Sequence, residues 1–233
     1  MRALGIDTAT AIASVGLVTD GGVIVRRQPM ASSHARTLLP LVDEVLGAGG
    51  IDVAGLDLLA VSIGPGSFTG LRIGLAVVKG LALASGVPVV GVPTLEAYAR
   101  ALGPRDGAVW PVLDARKGEV YAAGYRWQHG ELEEIAAPAA LAPASLAATL
   151  RPPCTLVGDG VDAYADLWSG IAGVTGLRLA DHPPDGAVVA RRGAALLAAD
   201  GPADLSALEP RYCRRSEAEL HRAGRPAAAV STG

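Results

Sequence analysis

Two aspartates stand where an apolar strand gives way to a turn: Asp7 after Ala3–Ile6, and Asp114 after Val109–Leu113. Carboxylates facing each other across a cleft can position a metal-bound phosphate, and Asp7 and Asp114 are the candidate pair for cofactor binding. The plainer alternative is a turn aspartate that accepts nearby backbone N–H groups. The segment Gly64-Pro65-Gly66-Ser67-Phe68-Thr69-Gly70 joins a strand to a helix. Its glycines permit close backbone approach, and the helix N-terminus that follows suits an anion. No Gly-Lys-Ser/Thr follows it, and its glycine spacing is not that of a dinucleotide loop. By generic motif rules it marks a tight strand-to-helix turn.

Other reactive residue types are poorly placed for catalysis. The histidines are His34, His129, His182 and His221, and position 38, where a helix-borne metal site wants a second histidine after His34, is leucine. Cys154 and Cys213 lack metal-ligand spacing. No serine has the flanking glycines of a nucleophile elbow. The expectation is therefore no metal, no cofactor and no catalytic residue, which disfavours a metallopeptidase or a metal-dependent transferase centre.

The elements that position these residues come from periodicity. Of 233 residues, 50% are hydrophobic, enough to bury one large core or two small ones. A net charge of −3 gives no global positive field, so any RNA contact must be local or supplied by a partner. Strands are predicted at Ala3–Ile6, Ser14–Val18 and Val23–Arg27. A helix from Ser32 or Ser33 to about Leu46 follows, with Pro40 implying an irregular first turn or a later start. A strand at Leu58–Ile63, a helix to Ser85, a strand at Val87–Val92 and a helix capped by Thr94 complete the first set. The pattern restarts with strands at Val109–Leu113, Glu119–Tyr125 and Leu132–Ile135, then Thr155–Val157 and a helix near Ala187–Ala199 with Asp185 near its N-cap. Strand–strand–strand followed by helix–strand units, twice over, predicts a duplicated α/β fold with a cleft between lobes. The expected division is residues 1–103, 104–221 and a disordered tail at 222–233.

The stretch from Leu71 to Val92 is apolar enough to raise the question of a membrane span. Arg72, Lys79, Ser85-Gly86 and Pro88 interrupt it, so a helix followed by a strand fits better. The first seven residues reach Asp7 too soon for a signal peptide, and a cytoplasmic chain without a membrane partner is expected. Between Leu71 and Ser85 nearly every helix face is apolar or small, with Ala76, Gly80 and Ala84 in one row. Such a helix is either internal or covered on its second side by a partner helix, and pattern alone leaves both open.

Three segments carry a resemblance: Gly5-Ile6-Asp7-Thr8-Ala9-Thr10, then Gly64 to Gly74, then Asp114-Ala115-Arg116-Lys117-Gly118-Glu119-Val120-Tyr121. In this order they resemble the TsaB (YeaZ) family of bacterial tRNA threonylcarbamoyladenosine biosynthesis subunits. Glu209-Pro210-Arg211-Tyr212 is similar to that family's C-terminal motif, with Cys213 where leucine is usual. The resemblance implies an actin/Hsp70-like (ASKHA, ribonuclease H-like) fold of two lobes that has lost catalysis. It implies a TsaD-like catalytic paralogue and a TsaE-like ATPase as partners, a homodimer when alone, and tRNA reached only through the complex. It also implies docking through helices of the first lobe, which makes Leu38, Val42, Leu71, Ile73, Ala76, Val77, Gly80 and Ala84 the candidate partner-binding residues. The competing readings are a stand-alone nucleotide-binding enzyme of the same fold, an ATPase or kinase, and a peptidase.

Overall fold

The computed structural model describes residues 1–30 and 35–213. The predicted capping serines Ser32 and Ser33, His34, His221 and the tail 222–233 lie outside them. Strand β1 (Ala3–Asp7) is buried along its whole length, which explains its unbroken apolar run up to the aspartate. It pairs antiparallel with β2 (Ile12–Thr19) and parallel with β4 (Leu58–Ser62). Strands β3 (Gly22–Pro29) and β5 (Val89–Val92) complete a first sheet of order β3-β2-β1-β4-β5.

The second sheet contains β6 (Ala108–Arg116), β7 (Glu119–Gln128), β8 (Glu131–Leu141), β9 (Cys154–Gly158) and β10 (Val174–Arg178). Its order, β8-β7-β6-β9-β10, repeats that of the first sheet position by position. The sense of every pairing is repeated as well: the meander is antiparallel and the last two strands are parallel. This is the duplicated ribonuclease H-like unit of the actin/Hsp70 fold, as the repeated pattern predicts.

Helices α1 (Ala35–Gly49) and α2 (Phe68–Ser85) cover one face of the first sheet, where Leu38, Val42, Leu75 and Val78 meet Leu4, Ile6 and Val15. α1 begins ahead of Pro40 and runs through it. The ring removes one intrahelical bond there, and Pro40 lies on the exposed side. On the second sheet, α4 (Pro143–Thr149), α5 (Asp159–Ala163) and α6 (Ala165–Ser169) place Leu146, Val161 and Trp168 against Trp110, Val112 and Leu156.

The remaining faces are covered by exchange. Helix α3 (Thr94–Ala101) follows the first sheet in the chain but packs on the second, with Leu95, Tyr98 and Ala99 among Val109, Leu113 and Val157. Helix α7 (Gly186–Asp200) follows the second sheet and packs on the first, with Val189 and Ala190 among Ala3, Leu58 and Val90. The segment after α7 stays there: Ala203 N donates to Val89 O at 2.8 Å and Arg211 N to Ile63 O at 2.7 Å. Each sheet is therefore completed by a helix from the other half of the chain. Glu96 on α3 pairs with Arg100 at 2.8 Å and with Arg192 on α7 at 2.7 Å, joining the exchanged helices.

α7 approaches the first sheet until backbone touches backbone. A Cβ added to Gly5 would lie 2.0 Å from the Gly186 carbonyl oxygen, and one at Gly16 would lie 2.1 Å from Ala187 N. Gly186 N donates to Ser14 Oγ at 2.9 Å, fixing the start of the helix. Gly5→Ala should therefore lose about 3 kcal/mol or more, the upper range of overpacking. Gly47→Ala, in a helix where an added Cβ meets nothing within 4 Å, should gain up to about 1 kcal/mol. Urea unfolding of the two variants measures both signs.

Candidate functional site

The glycine-rich motif leaves β4 and enters α2 directly, and its glycines are consumed by packing. Added Cβ atoms at Gly66, Gly70 and Gly74 would lie 2.6 Å from Ala9 O, 2.0 Å from Thr8 O and 2.4 Å from Thr8 Oγ1. Ser67 N donates to Ala9 O at 2.7 Å, and Thr8 Oγ1 donates to Gly70 O at 2.8 Å. Ser67 caps α2, its Oγ accepting from Gly70 N at 3.2 Å. Gly64 N donates to Thr94 Oγ1 at 2.9 Å, so the Thr94 hydroxyl holds this loop rather than capping α3, whose N-cap is Pro93. The loop and the turn after β1 form one welded unit.

Asp7 lies beneath that unit. Its carboxylate is buried and accepts from Ala9 N at 3.0 Å and from the Ser62 hydroxyl. Burial pushes its pKa up, against the two hydrogen bonds. Tyr98 on α3 is buried nearby, its OH 3.4 Å from Thr10 Oγ1; burial and then the Asp7 charge raise its pKa. Asp7 and Tyr98 line a small cavity of about 180 Å³ with Arg27 and His182.

Asp114 belongs to a different space. A cleft of about 620 Å³ lies between the lobes, lined by Thr10, Ser67 and Phe68 from the first and by Asp114, Arg116, Lys117 and Asp159 from the second. Asp7 is not among the residues that line it, so the candidate pair does not face one shared cavity. Asp114 accepts from Arg116 N at 2.9 Å and pairs with the Arg116 guanidinium at 3.2 Å. Arg116 and Lys117 turn the hairpin with φ of 62° and 56°.

A residue to which the sequence assigns no role is Asp159, which opens α5 directly after Gly158 ends β9. Its Oδ1 accepts from Asp114 N at 2.9 Å. Burial is the main cause of its raised pKa, and the neighbouring Asp114 charge adds to it. Its signal was positional: β9 holds the place in the second sheet that β4 holds in the first. The cleft can accept a small polar ligand. Among the described residues, no three side chains of His, Cys, Asp or Glu are placed to hold a metal ion.

A second feature lies on the outer side of α2. Leu38, Val42 and Leu71 are buried in the chain's own core and offer no surface to a partner, which corrects their assignment as docking residues. Periodicity placed them on apolar faces but could not say which face the sheet takes. Ile73 and Val77 are half-buried, whereas Ala76, Gly80 and Ala84 are exposed. Leu83, missed in the sequence, is 77% exposed on the same side. α2 is long and apolar enough to cross a membrane by length and composition; in the fold its inner face packs on the first sheet. At its N-terminal end Phe68 stacks on Tyr212 with ring centres 5.2 Å apart, and the Arg72 guanidinium lies 3.9 Å from the Phe68 ring centre. A groove of about 340 Å³ runs between α2 and the Leu208–Pro210 segment.

The buried carboxylates set a pH dependence. A raised native pKa means that the unfolded chain releases its proton first, so stability falls as pH rises from about 4 through the native pKa. Asp7→Asn and Asp159→Asn should each flatten that fall and raise the melting temperature at pH 7 relative to the unaltered chain, as followed by circular dichroism.

Comparison with known proteins agrees with this architecture. The family model described as TsaD, tRNA N6-adenosine threonylcarbamoyltransferase, matches residues 17–164. A tRNA threonylcarbamoyladenosine biosynthesis protein TsaB from Escherichia coli is 40% identical over 59% of this chain, which spans 63% of that relative. The chain thus spans less than two thirds of the E. coli protein. The Bacillus subtilis TsaB is 29% identical over 94% of this chain and 96% of its own length. The structure of YeaZ from Pseudomonas aeruginosa superposes with a TM-score of 0.76 at 28% identity, covering 91% of this chain and 99% of that one. With its relatives among the TsaB and YeaZ proteins and the family model matching more than half of its length, the chain belongs to the TsaD family.

Proposed function

We propose that this chain is a non-catalytic subunit in the formation of N6-threonylcarbamoyladenosine beside the anticodon of tRNA. In this reading it works in the cytoplasm, where a TsaD-like paralogue transfers threonylcarbamoyl from its adenylate and a TsaE-like ATPase assists. tRNA is reached through the complex, consistent with a net charge of −3. The TsaB relatives and the matching family model support the pathway.

The observation that carries the subunit role is Gly80. It lies in the interior of an 18-residue helix, where glycine costs about 1 kcal/mol relative to alanine. Gly70 and Gly74 in the same helix are explained by contact with Thr8, but an added Cβ at Gly80 would meet nothing within 4 Å. The described residues give no packing reason for that glycine. A helix from another chain crossing at Ala76, Gly80 and Ala84 does, because small residues let two helix axes approach closely. Alone, the chain uses the same face for a homodimer.

The 620 Å³ cleft favours a second reading, a stand-alone nucleotide-binding enzyme. ATP turnover by the pure chain, abolished in Asp159→Ala, would decide for it.

The first test is threonylcarbamoyl transfer to tRNA by the reconstituted set with this chain present, omitted or alone. Activity should require the chain, and the chain alone should be inert; equal activity without it would sink the proposal. Gly80→Arg and Ala76→Arg should abolish the complex in size-exclusion chromatography with circular dichroism unchanged. Gly80→Ala should raise the stability of the isolated chain by about 0.5–1 kcal/mol in urea unfolding.

A further inference from the structure

The α2 face has one charged residue whose surroundings are built rather than incidental. Arg72 is exposed on the row that continues through Ala76 and Gly80. Two contacts hold its guanidinium: Cζ lies over the Phe68 ring and Nε donates to Tyr212 Oη at 3.1 Å, and Tyr212 is itself stacked on Phe68. Tyr212 is brought there by the chain segment after α7, anchored one residue earlier by the Arg211 N bond to Ile63 O. Two chain segments 140 residues apart thus cooperate to hold one side chain still.

What that guanidinium lacks is an anion. Among the described residues no carboxylate pairs with Arg72, although Glu209 lines the same groove. The other cation of the groove, Lys79, has no aromatic ring stacked on it among the described residues. Arg72 keeps its terminal N–H groups in a fixed fork at the edge of a surface made of small side chains. A stacked, oriented guanidinium is suited to a carboxylate, which it can bind through two parallel hydrogen bonds. Ordering it in advance reduces the side-chain entropy lost on association.

We propose that Arg72 is the specificity residue of the α2 docking face, receiving a carboxylate from the partner helix about one turn away from the Ala76–Gly80 crossing. The four residues from Arg72 to Ala76 rise about 6 Å along the axis. The inference rests on the docking role of α2 proposed above, and it commits to a partner of one chemistry: a helix of the TsaD-like paralogue with small residues at the crossing and an acidic side chain beside them. Tyr212 is a positioning residue in this arrangement, because it acts through Arg72.

The test uses the purified full-length chain and the purified TsaD-like paralogue of the same genome, with affinity measured at low and high salt. Arg72→Ala should weaken binding tenfold or more at low salt and lose most of the salt dependence, with the melting temperature within about 2 °C of the unaltered chain, as for other exposed substitutions. Arg72→Lys should recover part of the affinity and the salt dependence. If Arg72→Ala binds like the unaltered chain while Gly80→Arg does not bind, the face docks the paralogue but Arg72 receives nothing, and the proposal fails alone. If Arg72→Ala weakens binding yet leaves the salt dependence intact, the loss is one of packing, and the carboxylate is overturned. If Gly80→Arg binds normally, or the unaltered chain does not bind, the docking role fails and takes this proposal with it.

Discussion

Much of this molecule follows from one contact, the seating of α7 on β1 and β2 at backbone distance. Three glycines, Gly5, Gly16 and Gly186, remove every side chain from the line where the helix crosses the sheet. Close-packed interiors leave no slack for a methyl group at such a crossing. With α7 so near, small residues suffice on this face: Ala3, Ala60 and Ala190 join Leu58, Val90 and Val189 there. The helix also carries the chain back from the second sheet to the first, and with it the segment that brings Leu208 into the first core and Tyr212 to Phe68.

A similar principle shapes the glycine-rich motif. In nucleotide-binding proteins such glycines let backbone approach a phosphate; here Gly66, Gly70 and Gly74 let α2 approach the turn after β1. Close approach is the common physics, and only the object approached differs. The motif fixes the position of α2, hence the direction of its outer face and the wall it gives to the cleft through Ser67 and Phe68. Phe68 contributes to the cleft with one part of its ring environment and supports Arg72 and Tyr212 with another.

The sheet strands were legible because their apolar runs end in aspartate, glycine or proline, and the duplication was legible because both halves present those runs in the same order. Strand β10 was not, since Val174–Arg178 is short, carries Gly176 and has no fully buried residue. Helices α4, α5 and α6 are five to seven residues long, too short for a 3.6-residue period to declare itself. The helix exchange was invisible for a deeper reason: periodicity says that a face is buried, never against which sheet. The same limit misplaced Leu38, Val42 and Leu71, whose apolar spacing is equally that of a docking face and of a core. It also paired Asp7 with Asp114 on their like positions at strand ends, when the neighbour of Asp114 is Asp159, the first residue of α5, just after the adjacent strand β9.

The exchange of α3 and α7 has a consequence for how the chain is made. A ribosome completes β5 at Val92 about 94 residues before it reaches Gly186, and at about 5–20 residues per second the first sheet waits roughly 5–19 s for the helix that covers it. During that interval Ala3, Leu58, Ala60 and Val90, all buried in the finished fold, have no cover from α7. The second sheet faces no such delay, because α3 emerges before β6. Nascent chains of this architecture therefore leave one apolar sheet face uncovered while the whole second sheet is made, a window in which a holdase chaperone has something to hold.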